Sequence, residues 1–143
     1  MKNFLTTIFF ILTMTFAFAQ DNSKVEEMKN MKQNTVKAVE YLAQGLKLDP
    51  KQRAIFMNAF SEYANNIMKA QEKTKSIAKQ PTVNKVNSLN SKKQMFNHVL
   101  RFSEKRDKTI KSCLKGRQMK KYDELIQAIA PMTLEVNKKK RKR

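Results

Sequence analysis

Apolar residues recur at three- and four-residue steps along most of the chain, the spacing that lines one face of an α-helix. Met28, Val39, Leu42 and Leu46, with Thr35 filling the gap, predict a helix that starts at Asn22 or Ser23 and ends near Leu46. Gly45 is expected to loosen its end. Asp49, Pro50 and Gln52 then predict a sharp helix start: a carboxylate cap, a proline at the first helical position, and a glutamine that reaches back to the cap N–H. The helix they open is expected over 50–79. Its core stripe is Phe56, Phe60, Tyr63, Ile67 and Ala70, with a second stripe of Met57, Ala64 and Met68 about 100° away.

Pro81 ends that periodicity, and 81–90 reads as a polar linker. Ser91 and Gln94 form another capping-box pattern, which predicts a third helix with Phe96, Val99, Leu100, Ile110 and Leu114 on its core face. Met95, Phe102 and Cys113 share one flank of that face. A last helix carries Met119, Tyr122, Leu125, Ile126 and Ile129, and Pro131 stops it. No stretch sustains period-two alternation, so the fold class expected is all-α, a long hairpin-type arrangement of about four helices.

The first residues read as an export signal. Lys2 is followed by an apolar run from Leu5 to Phe18, interrupted by threonines, and Ala17-Phe18-Ala19 is a small-residue cleavage box. The expected organisation is therefore a cleaved signal over 1–19, a helical domain over 20–137 and a basic tail over 138–143. That tail is six consecutive cations, whose mutual repulsion favours disorder. The expected location is the periplasm.

Charge changes the picture most. The formal net charge is +18, which favours an acidic or anionic partner. Between Lys69 and Lys121 stand sixteen Lys/Arg against Glu72, Glu104 and Asp107. Such a surface attracts at long range and, where apolar residues interleave, holds loosely. Methionine repacks around varied partners. Met57, Met68, Met95 and Phe102 are accordingly the candidate contact residues, with Arg101, Lys105 and Arg106 as the surrounding cations. Helix packing or a dimer interface would use the same residues equally well.

Candidate chemistry is sparse. His98 is the only histidine, with Met95 one helical turn before it, and no cysteine or carboxylate cluster joins them, so neither a metal nor another cofactor is expected. Cys113 is the only cysteine, and it reads as a small buried hydrophobe more readily than as an intermolecular disulfide. No nucleophile–base set, catalytic carboxylate pair or glycine-rich phosphate loop is visible, so the chain is not expected to be an enzyme.

Leu48, Asp49, Pro50 and Gln52, echoed 66 residues later at Leu114 and Gln118, resemble the repeated Leu-Thr-x-x-Gln motif of the Spy/CpxP family. Asp49 keeps the capping chemistry of the family's threonine. Lys115 does not, because it offers no acceptor, and Gly116 follows it. The run Gln118 to Leu125 is similar to the family's Q-x-x-K-Y-x-x-L ending. The resemblance implies a curved helical hairpin that pairs antiparallel with a second copy as a cradle. It also implies an ATP-independent periplasmic chaperone for unfolded or misassembled envelope proteins, sometimes within a stress response. A competing expectation is binding of a polyanion or an anionic envelope surface through the tail and helix faces, cytoplasmic nucleic acid being excluded by export. A structural helical protein with no client is the third.

Overall fold

The computed structural model describes the backbone of residues 2–78 and 85–137 and the side chains of residues 22–76 and 89–137. Among the described residues the fold is all-α: α1 (Lys2–Leu46), α2 (Pro50–Ala78), α3 (Lys85–Lys111) and α4 (Gly116–Leu125), then a 3₁₀ turn over Ile126–Ala128. The chain divides into two compact units, Met1–Asn30 and Met31–Arg143. Within the first, the side chains of 22–30 are all exposed, Val25 and Met28 among them. The second unit holds the core.

Three boundaries differ from those the sequence predicts. The helix expected to start at Asn22 or Ser23 instead begins at Lys2. Neither glycine nor proline occurs between Lys2 and Gln44, so nothing ends the helix there, and a capping residue inside a helix simply faces water. For the same reason Ser91 lies within α3, which starts at Lys85. Residues 85–90 of the expected linker are helical, while 79–84 and the basic tail 138–143 lie outside the described residues. Finally, α4 stops at Leu125, well before Pro131.

The core is one cluster fed by every helix: Thr35, Val39, Leu42 and Leu46 from α1, the full stripe Phe56, Phe60, Tyr63, Ile67 and Ala70 from α2, Met95 and Ile110 from α3, and Tyr122 and Leu125 from α4. α2 packs along α3. Phe56 meets Tyr122 edge-on with ring centroids 6.0 Å apart, the geometry aromatic quadrupoles favour. Met28, expected in the core, is exposed. So are Phe96 and Leu100, at 61% and 46%. At 100° per residue, Met95, Arg106 and Ile110 define the inward face of α3, and Phe96 and Leu100 fall roughly 80–120° away from its centre.

Gly45 serves packing and does not act as a loosener. A Cβ there would lie 2.5 Å from Leu125 Cδ1, so glycine lets α1 approach α4 closely. Beyond α4 the chain folds back on itself. Ile129 pairs antiparallel with Val136, and Leu134 sits fully buried at φ 56°. A left-handed leucine costs about 1–2 kcal/mol, which burying its side chain, worth about 1.5–3 kcal/mol, offsets. Tyr63 Oη donates to the Pro131 carbonyl at 2.6 Å, and Asn34 Nδ2 to the Thr133 carbonyl at 3.0 Å, tying this return to α2 and α1.

Candidate functional site

The two short connections that carry the repeated motif meet in space. At the first, Lys47 takes φ 52° and the Leu48 N–H donates to the Ala43 carbonyl at 3.1 Å, a Schellman closure of α1. Asp49 Oδ1 then accepts from the Gln52 N–H at 2.8 Å, and Gln52 Oε1 accepts from the Asp49 N–H at 3.2 Å. Both halves of a capping box are formed. At the second connection Gln118 Oε1 accepts from the Lys115 N–H at 3.0 Å. The Lys115 side chain has no acceptor atom, so the other half is missing.

What joins them is a pair of amides. Gln52 Nε2 donates to Gln118 Oε1 at 3.1 Å, and Gln118 Nε2 donates to Gln52 Oε1 at 3.3 Å. Each also holds a backbone carbonyl of the other connection: Gln52 Nε2 reaches the Cys113 carbonyl, in the turn after α3, at 2.8 Å, and Gln118 Nε2 the Leu46 carbonyl, at the end of α1, at 3.1 Å. Gln52 is buried and Gln118 half-buried. The pair therefore satisfies helix-terminal groups on both sides and fixes where α1, α2, α3 and α4 converge. Leu114 is buried beside this pair, and Leu48 is packed against the core.

Of the seven candidate contact residues, two lie inside. Met95 and Arg106 are each 7% exposed. They are eleven residues apart, three helical turns, and so share the inward face of α3. Arg106 belongs to no surface ring. Its guanidinium sits over Tyr63 at 4.6 Å and Phe60 at 5.0 Å, and its Nε and a terminal nitrogen both donate to Asp107 Oδ1 at 2.8 Å. Tyr122 Oη donates to the same oxygen at 2.6 Å. Burial opposes the Arg106 charge, but Tyr122, Asp107 and Tyr63 more than offset it and hold its pKa above the ordinary value. Burial also raises the phenols of Tyr122 and Tyr63. A cation among aromatics with one carboxylate is a closed structural unit, and a sequence pattern read by hydropathy gives no sign of it.

The remaining candidates occupy more open ground. Met57 and Met68 are half-buried against the core. Phe102 is half-buried between two neighbours on α3: His98 stacks on its ring at 5.7 Å, and the Arg101 guanidinium stands 4.9 Å from its centroid. Lys105, exposed one turn on, pairs with Glu62 of α2. Beneath them, Ala59, Tyr63, Asn66, Phe102 and Thr109 help line a recess between α2 and α3 with room for about one water molecule. Cys113 is half-buried, its thiol donates to the Ile110 carbonyl at 3.1 Å, and burial raises its pKa, which leaves it a poor nucleophile. Among the described residues no group of His, Cys, Asp and Glu stands close enough to hold a metal ion. Comparison of the chain with known protein families, curated proteins and solved structures found no match.

Proposed function

We propose that this chain is an exported, ATP-independent chaperone that holds unfolded or misassembled envelope proteins in the periplasm. The observation that carries the reading is the outer flank of α3, where Phe102 is held between His98 and Arg101, with Lys105 one turn on. Cations there draw a chain in, and a partly open aromatic surface holds it without demanding one partner. The Leu-x-x-x-Gln repeat and the high positive charge support the same assignment through their resemblance to Spy/CpxP proteins. With that resemblance goes an antiparallel pair of copies, to be tested by sedimentation.

The test is suppression of aggregation of a denatured reporter enzyme, followed by light scattering without ATP. The full chain is compared with one ending at Asn137, at low and moderate salt. Protection that survives loss of the tail locates the activity in the helices. Protection that disappears with the tail, or with modest salt, would make the protein a polyanion binder, because that mode depends steeply on ionic strength.

A further inference from the structure

The opposite flank of α3 carries a second, separate surface. At 100° per residue, Leu89, Phe96 and Leu100 fall in one band about 40° wide, and His98, Arg101 and Lys105 lie on the far side of the helix. The buried face with Met95 and Arg106 runs between the two. Further along α3 the band of Leu89 reaches Asp107, which Tyr122 of α4 covers. In the N-terminal half it is bare: Leu89 is 65% exposed, Phe96 61% and Leu100 46%.

Charge says what such a band suits. Between Glu72 and Glu104 the sequence contains no acidic residue and seven cations, among them the exposed Lys92 and Lys93 beside Phe96. All three apolar residues are exposed, so the band is a row of side chains open to solvent. Protruding Phe and Leu with long lysines alongside match the interface of an anionic bilayer: the apolar groups enter the acyl boundary and the ammonium groups reach the headgroups. No helix among the described residues is long and apolar enough to cross a membrane.

We infer that Leu89, Phe96 and Leu100, with Lys92 and Lys93, form a docking face for anionic phospholipid surfaces. It is distinct from the client flank and does not depend on the client reading. The chain has no tryptophan, so Phe96→Trp in the full chain places the sole indole on this face. With phosphatidylglycerol vesicles at low salt its emission shifts to the blue, and salt reverses the shift. Phosphatidylcholine vesicles leave it at the aqueous position, even if the apolar N-terminal stretch tethers the chain to them. Lys92→Gln with Lys93→Gln weakens binding to the anionic vesicles roughly thirtyfold, and circular dichroism verifies that helicity is retained. An emission that ignores anionic vesicles overturns the inference, as does an equal shift with neutral ones. So does a shift produced by an unfolded acidic protein but by no vesicle, which would assign the face to clients instead.

Discussion

The two connections that carry the motif, Leu-Asp-Pro-Lys-Gln and Leu-Lys-Gly-Arg-Gln, share their leucine and glutamine at the same spacing, yet they solve the helix start differently. The first has a carboxylate acceptor at the cap and a proline behind it. The second has an ammonium that cannot accept and a glycine with open space around its Cα. Both helices nevertheless begin where the motif places them, and in both the glutamine accepts from the cap N–H and reaches across to the other connection. The glutamines, and not the capping residues, are therefore the common element. They hold the ends of α1 and α3 together and so set the frame from which the flanks of α3 are displayed.

The sharpest way to break this comparison is Gln52→Ala. It strips the cap N–H of Asp49 and the Cys113 carbonyl of these partners and removes one of the two acceptors of Gln118. The expected loss is about 2 kcal/mol, from hydrogen bonds lost at a part-buried junction at about 0.5–1.5 kcal/mol each, measured by urea unfolding. Combining it with Gln118→Ala closes a double-mutant cycle in which about 1 kcal/mol or more of coupling is expected; additivity would mean that the amides act separately. Next in size is Asp49→Ala, at about 1 kcal/mol. Lys115→Ala changes stability by less than about 0.5 kcal/mol. Lys115→Asp supplies the missing acceptor and a charge suited to the helix N-terminus, and raises stability by about 1 kcal/mol. If Lys115→Asp has no effect, the second connection is not limited by its cap.

The buried phenols Tyr63 and Tyr122 add a pH-dependent test. Burial raises the folded-state pKa of Tyr122 and Tyr63 above the ordinary value near 10. The neutral phenols' contribution is therefore complete below about pH 10 and is lost as pH rises through the folded-state values. Denaturation midpoints measured from pH 9 to 11 are expected to fall, with a shallower slope for Tyr122→Phe. Equal slopes would place the ionising group elsewhere.

How much of this was legible follows from where each signal resides. Asp49, Pro50 and Gln52 are local chemistry, and the end of α1 and start of α2 can be read from them directly. The stripe of α2 is equally plain, because its large residues sit on one face. The phase of α3 is not, because its apolar residues occupy two faces, with Met95 and Ile110 inward and Leu89, Phe96 and Leu100 outward, and its inward face includes Arg106. A hydropathy pattern assigns a guanidinium to solvent; only Phe60, Tyr63, Asp107 and Tyr122, brought from three helices, make it a core residue. The Gln52–Gln118 contact leaves a trace in the repeated spacing, but that spacing gives no sign that the two amides touch. Leu134, a left-handed leucine in a turn, leaves no trace at all.

The central claim, that the outer flank of α3 holds clients, is tested most directly by disabling one flank at a time. Arg101→Glu with Phe102→Ala is compared with Phe96→Ser and Leu100→Ser in the aggregation assay, after both proteins are shown to keep their helical content. The first pair should need roughly tenfold more protein for the same protection, the order expected for losing an aromatic anchor and reversing a neighbouring charge. The second pair should protect a soluble client as well as the unaltered chain does. Full protection by the first pair, or its loss only in the second, would contradict the account.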